Sequence, residues 1–180
     1  MVNYGLPFIF LVGERGYNKL MLKGGLELKV ITVTKEFAFD MAHMLAEHDG
    51  LCKNIHGHTY KLLITLSRGS GLIDDGPAEG MIMDFKQLKE LVGEKIVAPF
   101  DHALMVNVNS KSLLEQKLYD LFRNHADLQK VYWVDYRPTA ENMADHIFEK
   151  AGFLLRRFGV NVERVRLYET PTSYVEVYAE

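Results

Sequence analysis

Two stretches of the chain carry apolar and polar residues in near alternation and are rich in β-branched and aromatic side chains. They run from Leu28 to Phe39 and from His58 to Leu66, and the pattern predicts two strands. The segment from Arg68 to Gly80, broken by Gly69, Gly71, Gly76 and Pro77, reads as a loop. Asp84 then stands as the N-cap of a helix from Phe85 to about Val97 that Pro99 ends; Phe85, Leu88, Leu91, Val92 and Ile96 fall at helical spacing and are expected to face a core. An amphipathic stretch from Leu113 to Phe122 and a short aromatic run from Val131 to Val134 follow. Pro138-Thr139-Ala140-Glu141-Asn142 opens a long helix with Met143, Ile147, Phe148, Leu154 and Leu155 as its apolar positions and Gly159 as its stop. Two more strands, Val160 to Glu169 and Ser173 to Ala179, close the chain around the turn Thr170-Pro171-Thr172. Residues 1–25 are an apolar, glycine-punctuated lead, set off by Lys23-Gly24-Gly25, that fits an added strand or hairpin.

Strand pair, helices, strand pair is the order of an α+β fold, a four-stranded antiparallel sheet with its helices on one face. Such a sheet has two open edges, and open edges invite pairing with another chain. A 180-residue chain of 20.6 kDa is expected to form one main domain with its own core. A single cysteine excludes an internal disulfide and leaves Cys52 as a free thiol. A net charge of -3 and a pI near 6.2, without a basic stripe, argue against nucleic acid as partner. The apolar stretch Leu6 to Val12 is too short to span a bilayer and has no basic leader, so the expectation is a soluble cytoplasmic protein.

Candidate chemistry concentrates in one place. His43, Cys52, His56 and His58 put three imidazoles and the thiol within sixteen residues. Three neutral imidazoles hold Zn²⁺ with a fourth position open, the pattern of a catalytic site, since structural sites close the tetrahedron with four protein ligands. His56 and His58 are two apart, so on a strand both rings point to one face, and Gly57 between them would let a metal or substrate approach the backbone. If the first two strands pair as a hairpin, His43 returns beside His56 and His58 and the loop carries Cys52 over the metal. His48, His125 and His146 have no such company and read as surface residues. Asp101-His102 directly follows the helix stop at Pro99-Phe100, where a carboxylate can orient an imidazole that in turn activates a thiol. Glu169 ends a strand; taken alone it is an exposed acid.

With these residues assembled, the chain resembles the 6-pyruvoyl-tetrahydropterin synthase family, which includes the 6-carboxy-tetrahydropterin synthases of queuosine biosynthesis. The likeness runs from about Lys29 to the C-terminus through six blocks in family order: Phe39 to His43, Cys52 to His58, Gly80 to Phe85, Asp101-His102, Pro138 to Asn142, and Tyr168-Glu169-Thr170. The resemblance implies His43, His56 and His58 as zinc ligands, Cys52 as catalytic base with Asp101 and His102 completing a triad, and Glu169 as the pterin anchor. Thr139 and Glu141 match a second pterin-contacting block, where Ala140 replaces a Thr of some relatives. It further implies the T-fold, homohexamers built as dimers of trimers with active sites between subunits, Zn²⁺ as cofactor and 7,8-dihydroneopterin triphosphate as substrate. Residues 26–180 would form the pterin synthase domain, with residues 1–25 an N-terminal extension and about 109–136 an insertion holding an added helical segment.

One branch of the family forms 6-pyruvoyl-tetrahydropterin; the other forms 6-carboxy-tetrahydropterin and acetaldehyde. The three-residue spacer between Cys52 and His56 resembles the carboxy branch. Cys52 speaks against a third branch that carries Glu there. A pterin-binding oligomer without turnover is the reading from another class, and it would not need Cys52, Asp101 and His102 together.

Overall fold

The computed structural model describes residues 10–14, 17–21, 27–28 and 30–179. The Lys23-Gly24-Gly25 break and the rest of the 1–25 lead lie outside the described residues, apart from two strands, and so does Lys29. The chain divides into two compact units, Met1–Ile31 and Thr32–Glu180. In the first, β1 (Phe10–Glu14), β2 (Tyr17–Met21) and β3 (Glu27–Leu28) form an antiparallel sheet in that order.

The second unit is built on a six-stranded sheet. Its strands are β4 (Val33–His43), β5 (His56–Ser67), β6 (Ala103–Asn107), β7 (Val131–Val134), β8 (Asn161–Thr170) and β9 (Ser173–Tyr178), in the order β7-β6-β4-β5-β8-β9. The antiparallel run β4-β5-β8-β9 is the four-stranded sheet expected from the sequence. The strand count is corrected by β6 and β7, which add parallel to β4 and to each other. The reason they escaped is physical: β6 is Ala-Leu-Met-Val-Asn, buried at its first four positions, so it shows no alternation to read. The first long strand also starts later than expected, at Val33 rather than Leu28.

Helices cover one face. Residues α1 (Phe85–Val92), a π-helical turn (Gly93–Val97) and the short α2 (Ala98–Phe100) follow one another without a break. Asp84 caps α1 as expected, its carboxylate accepting from the Lys86 and Gln87 amides at 2.6 and 3.2 Å. Leu88, Val92 and Ile96 reach the core, but Phe85, at the first position of α1, points outward and is 51% exposed. The amphipathic stretch forms α3 (Leu113–Asn124), whose Leu113 and Leu114 are exposed while Glu115 is buried, its carboxylate accepting from the Asn107 amide at 3.5 Å. The long helix α4 (Ala140–Leu155) packs on β8 and β9 through Met143, Ala144, Ile147, Ala151 and Leu155. The larger of these side chains, Met143, Ile147 and Leu155, each contribute roughly 1.5–3 kcal/mol by leaving water. Gly159 ends the helical region with φ 71°, the left-handed conformation that glycine adopts without a Cβ penalty. No helix among the described residues is long and apolar enough to cross a membrane.

His146 is not a surface residue as its sequence context suggested. It is half-buried on α4 against Phe100, Tyr132 and Tyr136, with the Tyr132 hydroxyl 2.9 Å from Nε2. Burial, helped by the Lys150 ammonium, holds its pKa below the ordinary imidazole range.

Candidate active site

The β4–β5 hairpin builds the centre through strand alternation. His43 stands directly opposite His56 in the ladder, and Met41 opposite His58. Positions 39, 41 and 43 of β4 and 56, 58 and 60 of β5 therefore share the face that the helices cover. The three imidazoles meet there with ring centroids 4.6, 5.0 and 5.3 Å apart. One nitrogen from each lies within 4.8 Å of the others, an arrangement able to hold a metal ion.

Hydrogen bonds fix which nitrogens are available. Nδ1 of His43 lies 2.7 Å from the Pro138 carbonyl and Nδ1 of His56 lies 2.8 Å from the Asn54 carbonyl. A carbonyl oxygen can only accept, so both Nδ1 atoms carry the proton and both Nε2 atoms present a lone pair. That is the outer-shell arrangement found around metal-bound histidines. His43 is 1% exposed, and burial lowers its pKa against the opposing pull of the Pro138 carbonyl, which keeps the ring neutral. The donor set, three nitrogens with two tautomers set for Nε2 ligation, fits Zn²⁺.

Glu169, on β8, is at the open side of this group. Its Oε1 lies 3.7 Å from His43 Nε2 and 4.0 Å from His58 Nε2. Tyr60 continues the same face beyond His58, and its hydroxyl is 3.5 Å from His43 Nε2. Burial pushes the Tyr60 hydroxyl pKa up, so it stays a neutral donor. Tyr60 was not singled out from the sequence, although its position two residues after His58 on the same strand face was the available signal.

Gly57 also serves the packing of the hairpin. It lies on the opposite face from the imidazoles, and a Cβ there would sit 3.1 Å from the Met41 carbonyl and 3.6 Å from Ala42 Cα. The close approach that the structure shows there is between β4 and β5 themselves.

Cys52 lies on the β4–β5 connection, in a single 3-10 turn (Leu51–Lys53), half-buried, with its carbonyl accepting from the Leu45 amide at 2.8 Å. Asp101 and His102 are a contiguous pair where α2 gives way to β6. The Asp101 carboxylate accepts from the Asp40 amide at 3.0 Å and lies 3.1 Å from His102 Nδ1, while the His102 amide donates to the Asp40 carbonyl at 2.6 Å. The Asp40 amide, and after it His102, hold the Asp101 carboxyl below its ordinary pKa. His102 takes φ 58°, a left-handed conformation uncommon outside glycine. His102 helps to line an open depression of about 390 Å³ together with Asp40, Met41, Ala42, Gly57, His58, Thr59, Ala103 and Gln129. Asp40, Ala42, Gly57 and Thr59 belong to the face away from the helices. Met41 and His58, which also border the depression, belong to the helix-covered face, and among the described residues no hydrogen bond joins His102 or Asp101 to Cys52.

The remaining pair sits at the start of α4. Thr139 is its N-cap, with Oγ1 accepting from the Asn142 amide at 3.4 Å. Glu141 is exposed in the first turn. The same block touches the three-imidazole group through the Pro138 carbonyl, a backbone atom that no side-chain pattern announces.

A T-fold-like sheet thus carries a three-imidazole centre with an acid beside it. The profile of the 6-pyruvoyl tetrahydropterin synthase family matches residues 32–180, and the chain belongs to that family. It is 38% identical over 144 residues to a 6-carboxy-5,6,7,8-tetrahydropterin synthase of Haemophilus influenzae, covering 80% of this chain and 96% of that protein. It is 34% identical over 152 residues to the protein of the same description from Rickettsia conorii, covering 82% and 100%. Among solved structures, an uncharacterized protein from Wolinella succinogenes superposes with a TM-score of 0.68 at 21% identity, covering 85% of this chain and all (100%) of that one. The 6-pyruvoyl tetrahydropterin synthase of Plasmodium falciparum superposes with a TM-score of 0.59 at 17% identity, covering 83% and 98%. These structures share the fold, and the sequence relatives make this chain a member of an enzyme family of tetrahydropterin synthases.

Proposed function

We propose that this protein is a zinc-dependent 6-carboxy-5,6,7,8-tetrahydropterin synthase. It converts 7,8-dihydroneopterin triphosphate to 6-carboxytetrahydropterin, acetaldehyde and triphosphate, a step of queuosine biosynthesis in the cytoplasm. The observation that carries the reading is the His43, His56, His58 centre with Glu169 at its open side, in a chain 38% identical to a protein described by that activity.

The division of labour follows from the chemistry of each side chain. His43, His56 and His58 hold the zinc ion, which when bound supplies Lewis-acid polarisation of substrate oxygens and stabilises negative charge developing on them. Glu169 accepts hydrogen bonds from the pterin amino group and a ring N–H, a two-point recognition suited to a carboxylate. Cys52 takes a proton from the substrate side chain. Asp101, bonded to Nδ1 of His102, fixes that ring's tautomer and leaves Nε2 to exchange protons with the thiol. Thr139 and Glu141 contribute to the pterin end of the pocket from the start of α4.

Among the described residues Asp101 and His102 bond to Asp40 and to each other and make no bond to Cys52, which favours an active site assembled between copies. Among the described residues the edge of β4 from Val33 to Phe39, where β6 pairs only at Met41 and Ala42, and the outer edge of β9 have no strand beside them, which favours ring closure through strand pairing. Trimers closed in this way, stacked as a hexamer, would bring His102 of one subunit to Cys52 of the next.

The test is a product assay on the purified zinc-loaded protein with 7,8-dihydroneopterin triphosphate. Acetaldehyde and the carboxy product are expected. A pyruvoyl product without acetaldehyde would assign the other branch of the family, and pterin binding without any product would make the protein a binder.

A further inference from the structure

Lys130, in the inserted segment just before β7, reaches across to the turn that carries Asp101 and His102. Its ammonium donates to the Asp101 carbonyl at 2.5 Å and to the Ala98 carbonyl at 2.6 Å. Those are among the last carbonyls of the α1–α2 helical run, which have no helical partner and favour a cation. The Lys130 carbonyl meanwhile accepts from the Leu104 amide at 2.9 Å, fixing the start of β7 beside β6. The turn is otherwise held by the Asp101 amide on the Val97 carbonyl at 2.9 Å and by the two bonds to Asp40. With His102 in the left-handed region, the turn lacks the backbone preference that would keep it in place by itself.

We propose that Lys130 is a positioning residue that holds the Asp101–His102 turn in its working geometry, so that the inserted segment serves the reaction through this one side chain. Its contribution to catalysis rests on reading Asp101 and His102 as working residues. Lys130 itself does not touch substrate. Because it is exposed, its bonds add little to global stability. What it restrains is local, and a displacement of about 1 Å at a proton-transfer pair is enough to slow turnover by one to two orders of magnitude.

The experiment compares Lys130→Met and Lys130→Arg with Asp101→Asn and His102→Ala in the assembled enzyme, measuring kcat, KM, the unfolding midpoint and amide exchange at His102. For Lys130→Met, kcat is expected to fall about 10-fold with KM and the midpoint unchanged, and the His102 amide to exchange faster. Lys130→Arg, which keeps charge and donors, is expected to restore most of both. Wild-type exchange at His102 in Lys130→Met overturns the inference, and so does a loss of kcat that Lys130→Arg leaves unrepaired. If Asp101→Asn and His102→Ala keep full kcat, the role of the pair in the reaction fails instead. Faster His102 exchange in Lys130→Met would in that case still support Lys130 as the restraint on the turn.

Discussion

His43 and His56 face each other across the β4–β5 ladder with ring centroids 4.6 Å apart, and each spends its Nδ1 proton on a different backbone carbonyl, that of Pro138 or that of Asn54. Two separate parts of the chain therefore aim the two Nε2 lone pairs at one point.

Removing one of those rings should release the metal without unfolding the protein. His56 lies near the end of the ladder and is not part of the apolar core. His56→Ala is expected to weaken zinc binding at least ~100-fold, because two imidazoles cannot complete a stable site. Zinc content after dialysis measures this, and stoichiometric zinc in the variant would remove His56 from the ligand set.

Cys52→Ala tests the base. Zinc and pterin binding should persist, while kcat falls about 100-fold or more with the loss of general-base catalysis. Full activity in this variant would take Cys52 out of the mechanism.

Glu169 stands where two roles compete, since its carboxylate is 3.7 Å from His43 Nε2 yet is assigned to the pterin. Glu169→Ala is expected to raise KM while zinc content stays intact, a loss of about 1.5–3 kcal/mol in binding, the usual worth of hydrogen bonds to a charged group. If the variant instead loses zinc with KM otherwise preserved, the carboxylate is a metal ligand.

The metal-free protein should lose stability in mild acid. The folded-state pKa values of His43 and His146 are both lowered from 6.5. The native state thus binds fewer protons than the unfolded chain, and stability present above about pH 6.5 is lost as the pH falls through the lowered values. Thermal unfolding of chelated protein between about pH 7.5 and 5.5 would measure the loss. His146→Phe, which keeps the aromatic packing against Phe100, Tyr132 and Tyr136, should flatten the slope; an unchanged slope would discard the His146 contribution.

The hairpin that carries the metal group was legible in the sequence because alternation is a local signal: His43, His56 and His58 come together as their spacing implied. So was the N-cap at Asp84. The parallel strands β6 and β7 were not, since β6 is buried without alternation and β7 pairs with it only after the long excursion through α3. Gly57 was read for flexibility toward a ligand, whereas the Met41 carbonyl opposite it supplies the constraint. His146 was read from its isolation in sequence, but its neighbours Phe100 and Tyr132 are distant along the chain. Lys130 gave no signal at all, because both of its acceptors are main-chain atoms.

The tight contact of Gly57 with the Met41 carbonyl reaches beyond local packing. A shift of β5 by one residue against β4 would turn all its side chains to the other face, sending His56 and His58 away from His43. It would also bring the Cβ of a neighbouring residue to about the 3.1 Å from the Met41 carbonyl that a Cβ at Gly57 would have, a contact that needs the backbone to give by a few tenths of an ångström. In the zinc enzyme proposed above, metal content would therefore gauge hairpin alignment: a chain that has misaligned these two strands separates the three imidazoles, and its lack of metal would report the misfolding before any turnover is measured.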